Sequence, residues 1–258
     1  AERKAIMTSE AMRDLLARNR DLLTEVARVS GSPTVAESID EADRFYEHLA
    51  IEHENGYFWS KMGTANGSHE WTVEREKMIL DRMLAFSYAR WNNEWNSKLI
   101  KRVRAGELIS EIGANFHSVV AMADASTTDP IRTSTKLRLY STHDTKLAAL
   151  LFALDNWQQA LVPYSAAIIF ELHKEPKTVP LTKAAKDYKH KSAANKDFYV
   201  AVRYFNETDV LLDPNAKLPD VRAFLINACA DHLFMLPDGQ TSVCPVDRFL
   251  EIVEQFKF

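Results

Sequence analysis

The sequence has 258 residues, of which 46% are hydrophobic and 26% are charged, and this composition is typical of a globular protein with a substantial core. Its 32 basic and 36 acidic side chains give a formal charge of -4, which gives no indication of a nucleic-acid or membrane-surface partner. No apolar run approaches the roughly 18–20 residues that span a bilayer. We therefore expect a soluble protein, or the soluble part of a longer one.

Residues 1–118 are predicted to be mainly helical. Apolar residues recur at helical spacing, with charged residues between them, in four segments: 11–26, 38–53, 73–95 and 98–120. The second segment begins with Ser-Ile-Asp-Glu, a typical helix start, and the fourth is interrupted by Gly106 and Gly113. We expect 1–118 to form a helical cap region with the helices that follow it, and 119–258 to form the C-terminal part of an α/β domain.

The pattern changes after the helical region. Residues 137–140 suit a β-strand, and residues 145–154 follow as a helix whose apolar side chains cover every face, which predicts a buried helix. Residues 166–172 and 198–205 are predicted to be two further strands, paired as a hairpin with a long Lys-rich connection. A short helical pattern, 246–256, ends the chain. This order suits an α/β sheet that carries a large helical layer or cap.

His143 and Asp144 lie at the junction between the predicted strand and the buried helix, in the run "LRLYSTHDTKLAALLFAL". One interpretation is structural, because an Asp directly before a helix is a good N-cap whose carboxylate accepts from the first amides. The other is chemical, because α/β proteins bind anions where a strand ends at a helix N-terminus. A protonated His there can donate to a phosphate oxygen. An adjacent carboxylic acid can protonate a departing alkoxide.

The chemical interpretation is incomplete on local residues alone. One Asp cannot both donate a proton and attack phosphorus, and an unassisted phosphate needs more positive charge around it. The local sequence therefore leaves the structural and the chemical interpretations open.

A longer run, "LRLYSTHDTKLAALLFALDNWQQALVPYSAAIIFEL", resembles the C-terminal part of histidine acid phosphatases of the lysosomal and prostatic type. In that family a strand ends in Tyr-Ser-x-His-Asp-Thr, a buried helix follows, and Pro-Tyr-(Ala/Ser) precedes a strand that ends in Phe-Glu-Leu. The later runs "VRYFNET" and "CPVDRFLEI" resemble the family's closing strand and its Cys-Pro ending. The likeness is close over residues 136–258, apart from the Lys-rich connection, and looser over the helical region.

The resemblance implies a histidine-phosphatase-like α/β sheet that is flanked by helices and carries a large helical cap region. It also implies a mechanism, in which a histidine within Arg-His-Gly-x-Arg-x-Pro attacks phosphorus and forms a phosphohistidine that water then hydrolyses. By motif match, Asp144 would protonate the leaving oxygen and His143 would bind the phosphate. No cofactor and no metal is implied.

The sequence departs from the family pattern in one serious respect, because it contains no Arg-His-Gly. The family carries that motif on its first strand, before the helical region, so we expect a fragment that is incomplete at the N-terminus and inactive alone. The alternative is a catalytically inactive, secreted, phosphatase-like binding protein. A lesser departure is Lys146, which stands where the family often has Thr and is expected to point away from the phosphate.

Cys229 and Cys244 are the two cysteines, and from their number alone they could be a disulfide or two buried thiols. The resemblance favours the disulfide, because the family pairs cysteines just before its Cys-Pro ending. Asn66 and Asn206 begin glycosylation sequons. Together with the family's usual compartment, these features predict a secreted or lysosomal protein. Its expected partner is a phosphate monoester, with no nucleic acid and no membrane span in this chain, and a homodimer is left open.

Overall fold

The structure is a computed structural model, and the residues that it describes are 2–57, 72–125, 135–157, 161–174, 195–205, 223–224, 229, 234–235 and 242–257. The chain forms two compact units, Ala1–Ser97 and Lys98–Phe258. The predicted sequons at Asn66 and Asn206 lie outside the described residues.

The first unit is helical throughout its described part. Its α-helices are α1 (Glu2–Met7), α2 (Glu10–Arg18), α3 (Arg20–Ser30), α4 (Ile39–Glu54) and α5 (Val73–Trp95). Three of them begin at a side-chain hydroxyl that accepts a hydrogen bond from a backbone amide of the first turn, namely Ser9, Ser38 and Thr72. The helix start predicted at residues 38–41 is therefore confirmed.

A buried ionic network joins α4 to α5. The guanidinium of Arg90 lies 3.0 Å from Oδ1 of Asp40, 3.2 Å from Oδ2 of Asp43 and 2.9 Å from Oε2 of Glu94. Burial raises the pKa of Asp43, whereas the charge of Arg90 and a hydrogen bond from Ser87 oppose that rise. Because a buried carboxylate without a cation costs several kcal/mol, this network requires α4 and α5 to keep one relative position.

The second unit combines helices with a sheet. Its helices are α6 (Lys98–Ala125), α7 (Asp144–Ala153) and α8 (Val246–Glu254), and its strands are β1 (Ala167–Lys174), β2 (Phe198–Phe205), β3 (Ala223–Phe224), β4 (Phe234–Met235) and β5 (Ser242–Pro245). This mixture agrees with the predicted α/β class. In the described part of the chain, no helix is both long enough and apolar enough to cross a membrane.

Helix α6 corrects one expectation, because it runs without a break through Gly106 and Gly113, where an interruption was expected. An isolated glycine lowers helix propensity by about 1 kcal/mol, which packing against other elements can outweigh. The division between a helical cap region, 1–118, and an α/β part, 119–258, stays a prediction.

The strands pair in the order β1-β2-β5-β4, with β3 also on β2, and every described pairing is antiparallel. The β1–β2 ladder runs from Ala167 opposite Phe205 to Lys174 opposite Phe198, so the predicted hairpin is confirmed. The prediction of a strand at residues 137–140 was wrong, because these residues form no strand pairing in the described part of the chain. A strand exists only with a ladder partner, whereas the sequence pattern shows only that the segment could join one.

A disulfide and a close helix contact complete the C-terminal packing. Cys229 and Cys244 are bonded, and both are buried. The buried residues of α8 are Val246, Asp247, Phe249, Ile252 and Val253. The ring centroid of Phe249 lies 5.9 Å from that of Phe116 on α6 and 6.1 Å from that of Phe170 on β1. Helix α8 therefore fills the space between α6 and the hairpin.

Gly113 permits the approach of α8 to α6. A Cβ atom at this position would lie 2.9 Å from Cγ1 and 3.2 Å from Cγ2 of Val253. These atoms belong to a short, β-branched side chain that has little freedom to move aside.

We predict that Gly113→Ala destabilises the second unit by about 1 kcal/mol, because overpacking costs about 1–3 kcal/mol and helix propensity returns only about 1 kcal/mol. Urea unfolding measures the change. In a Val253→Ala background the nearest remaining atom is Cβ at 3.4 Å, so there the same substitution should be neutral or stabilising. An equal loss in both backgrounds would contradict this account of the glycine.

An ion cluster on the hairpin stabilises its central register. Oε2 of Glu171 on β1 lies 2.8 Å from Nε of Arg203 on β2 and 3.1 Å from Nε2 of His173. Partial burial acts to raise the pKa of Glu171, but the hydrogen bonds and charges of Arg203 and His173 outweigh it and lower that pKa. The carboxylate form is thus favoured in the folded state.

We predict that Glu171→Gln costs about 1 kcal/mol near pH 7, because it weakens charge-assisted hydrogen bonds at a partly exposed site. A lowered folded-state pKa contributes stability above the ordinary value of 4.5, and this stability is lost as the pH falls through the folded-state value. The free energies of unfolding of wild type and variant should therefore converge as the pH falls below 4.5 and through the folded-state pKa of Glu171. Glu107→Gln, at an exposed position of α6, is the control and should show no such pH dependence.

Candidate active site

His143 and Asp144 lie at the first turn of α7, and the N-cap is one residue earlier than in the structural interpretation of the sequence. Helix α7 begins at Asp144, and His143 is its N-cap residue, with an extended backbone (φ -98°, ψ 161°) and no side-chain capping bond. Asp144 was expected to be the N-cap. Instead its Oδ1 accepts a hydrogen bond from the amide of Thr145 at 2.6 Å. A carboxylate there still lies at the positive end of the helix dipole.

The segment that leads to this pair is open to solvent. Residues 135–144 are all exposed, and Leu137 and Leu139 expose 79% and 90% of their surface. The helix that follows is the opposite case, because residues 148–153 are all buried, which confirms the buried helix that the sequence predicts. The pair therefore stands at the boundary between solvent and the core of the second unit.

Tyr140 attaches the exposed segment to α6. Its hydroxyl donates to Oε1 of Glu111 at 2.9 Å and accepts from Nδ2 of Asn115 at 3.2 Å. Burial, followed by the Glu111 carboxylate, raises the pKa of Tyr140, and the charge of Arg138 opposes that rise. The phenol therefore keeps its proton and remains a donor at neutral and acid pH.

Lys146 makes the next contact with α6 along the chain. Its Nζ donates to the backbone carbonyl of Arg104 at 2.7 Å. The amides of Lys146 and Leu147 both donate to the carbonyl of His143, at 2.9 and 3.3 Å, and so form the first turn of α7. The ammonium group thus binds a neighbouring helix.

The residues that sequence reasoning missed all lie on α6. Glu111 and Asn115 bind the hydroxyl of Tyr140 across 29 and 25 positions of sequence, and Arg104 binds Lys146 across 42. No local signal marks such partners, because a polar residue on a helix face is usually solvated. The only hint in the sequence was that the polar residues Tyr140 and Lys146 flank His143-Asp144.

The pair can carry out two kinds of chemistry. The exposed imidazole of His143 can donate a hydrogen bond to an anionic oxygen next to the positive end of a helix. The carboxyl of Asp144, when protonated, can donate to a departing oxygen. Sequence reasoning singled out both residues, and the structure places them side by side.

Comparisons with known proteins identify the family of this chain. Residues 54–204, more than half of the chain, match the model of the histidine phosphatase superfamily (branch 2). The lysosomal acid phosphatases of Homo sapiens and Pongo abelii are each 31% identical to this chain over 105 residues, which is 41% of this chain and 23% of theirs. The match thus spans less than a quarter of the length of these relatives. On the family model, the chain belongs to branch 2 of the histidine phosphatase superfamily.

Proposed function

We propose that this chain is part of a histidine acid phosphatase that hydrolyses phosphate monoesters through a phosphohistidine intermediate. In this proposal His143 binds the phosphate and Asp144 protonates the leaving oxygen. The observation that carries it is the exposed His143-Asp144 pair at the start of α7, in a chain that belongs to a phosphatase superfamily.

His143 is suited to hold a phosphate because two sources of positive potential converge on it. It directly precedes α7, whose N-terminus carries roughly half a positive charge from the aligned peptide dipoles. Its own ring adds a full positive charge when it is protonated. The imidazole makes no capping bond to the helix, so its nitrogens are not committed to the first turn.

Asp144 is suited to proton transfer because it follows the phosphate ligand directly. In the first step the nucleophilic nitrogen bonds to phosphorus, the ester oxygen departs, and that oxygen takes the proton of Asp144. In the second step water attacks phosphorus and the P–N bond to the nucleophile breaks, while the Asp144 carboxylate takes a proton from that water. This step regenerates the acid and the free nucleophile and releases phosphate.

Neither His143 nor Asp144 is the nucleophile of the proposed reaction. The sequence contains no Arg-His-Gly, and the homologous stretch covers 23% of the lysosomal acid phosphatases. A second candidate function, suited to the same exposed imidazole at the start of α7, is that of a phosphatase-like protein that binds phosphate-bearing ligands without turnover. The two functions share the phosphate site at His143 and differ in the use of Asp144.

A lysosomal or secreted location belongs to the same proposal. The relatives are named lysosomal acid phosphatases. The bond between Cys229 and Cys244 is of a kind that persists in oxidising compartments and is rare in the cytosol. The sequons at Asn66 and Asn206 are compatible with that location.

We predict that, in a complete protein that supplies the nucleophilic histidine, Asp144→Asn slows hydrolysis of an alkyl phosphate by about 10²–10⁴-fold and that of nitrophenyl phosphate much less. The reason is that an alkoxide needs a proton in order to leave, whereas a nitrophenolate is a stable anion. Phosphate release at acid pH from both esters measures the effect. Asp14→Asn, at an exposed position of α2, is the matched control and should change neither rate.

Binding of inorganic phosphate separates the two candidate functions. Imidazole chemical shifts of His143, followed by NMR while phosphate is added, report binding whether or not turnover occurs. In the complete protein, phosphate release with selective loss in Asp144→Asn supports the phosphatase. Binding without release supports the binding protein, and neither release nor binding contradicts both. An equal effect of Asp144→Asn on both esters would show that Asp144 is not the proton donor.

A further inference from the structure

Two side chains, one on each side of His143-Asp144, contact the same helix. Tyr140 lies three residues before His143 and donates to Oε1 of Glu111 on α6 at 2.9 Å. Lys146 lies two residues after Asp144 and donates to the carbonyl oxygen of Arg104 on α6 at 2.7 Å. We refer to these two contacts together as the α6 bracket.

The spacing of the bracket matches the geometry of α6. Arg104 and Glu111 are seven residues apart, which is close to two helical turns, so the two positions lie on one face about 10 Å apart along the axis. From Tyr140 to Lys146 the chain passes through His143, whose backbone is extended, and then enters α7. Helix α6 therefore sets the distance between the two ends of the segment that carries the pair.

Asn115 helps to orient the ring of Tyr140. It lies one turn beyond Glu111 and donates to the hydroxyl of Tyr140 at 3.2 Å. The phenol accepts from one residue of α6 and donates to another, which selects a single orientation of the ring. The raised pKa of Tyr140 keeps its proton in place for the Glu111 carboxylate.

The bracket fixes an exposed segment that has no strand partner among the described residues. Residues 135–143 take part in no described strand pairing, and residues 141–144 are exposed. The buried residues of α7 begin at Ala148, more than one turn after Asp144. Without the bracket, the first turn of α7 could fray, as helix ends do.

We infer that Tyr140 and Lys146 are positioning residues, which hold His143 and Asp144 in register on α6 for phosphate binding and proton transfer. This inference rests on the proposed function. It assigns a structural reason to Lys146, which stands where the family often has Thr. Neither residue is expected to touch the phosphate, and both act through the backbone that connects them to the pair.

The test uses the full chain with Tyr140→Phe, which removes only the hydroxyl, and Lys146→Met, which removes only the ammonium. The affinity for inorganic phosphate, measured from the His143 imidazole shifts, should fall roughly two- to tenfold in each variant, as expected for one lost hydrogen bond. The midpoint of thermal unfolding of each variant should equal that of Tyr164→Phe, a control at a tyrosine that is 65% exposed.

Conservative variants distinguish positioning from a general loss of structure. Glu111→Gln retains a carbonyl oxygen that can accept from Tyr140, so it should bind phosphate nearly as wild type does, whereas Glu111→Ala should match Tyr140→Phe. Lys146→Arg retains a donor for the Arg104 carbonyl and should likewise recover affinity. Equal losses in the conservative and the truncated variants would overturn the inference.

Amide hydrogen exchange decides the inference even if wild type shows no response to phosphate, a result that would refute the proposed function alone. The amides of Lys146 and Leu147 donate to the carbonyl of His143, so their exchange reports the order of the first turn. It should be roughly two- to tenfold faster in Tyr140→Phe than in Tyr164→Phe. Unchanged exchange in Tyr140→Phe would overturn the positioning role.

Discussion

The burial of α7 is the constraint on which the candidate site depends. Residues 148–153 are buried in an unbroken run, and each large apolar side chain among them contributes about 1.5–3 kcal/mol when it leaves water. A helix without a polar face cannot lie on the surface, so its body must enter the core of the second unit. Its first turn then marks the point where the chain passes from solvent into the core, and His143 and Asp144 occupy that turn. Their exposure follows from where the apolar run begins.

Helix α6 supplies the reference against which the rest of this unit is positioned. One continuous element of 28 residues binds Tyr140 and Lys146 on its polar positions and receives α8 at Gly113, where the missing side chain lets Val253 approach. A straight helix changes length very little, so contacts two turns apart stay in fixed relation. The proposed function uses this rigidity, because proton transfer requires the acid and the phosphate ligand to keep a fixed geometry.

Sequence patterns predicted the features that depend on neighbours along the chain. The buried α7, the β1–β2 hairpin and the start of α4 at Ser38 depend on local spacing and on a capping residue, and all three are present. The strand at residues 137–140 was not found, because a strand also needs a partner from elsewhere. Gly113 was interpreted as an interruption, although its missing side chain serves packing against α8. Glu111 and Asn115 could not be predicted, because their partner lies more than 20 residues away.

The exposure of the pair also sets what it can achieve by itself. In water, two unit charges 4 Å apart interact by about 1 kcal/mol, whereas near a protein surface the same pair interacts by about 4 kcal/mol. In the proposed function, a phosphate at His143 would therefore be stabilised much less by an exposed site than by one from which water is excluded. Leu137 and Leu139, which precede the pair, expose 79% and 90% of their surface, so the residues that lead to the pair do not shield it from water. The electrostatic contribution of the pair is thus limited by its exposure rather than by its chemistry.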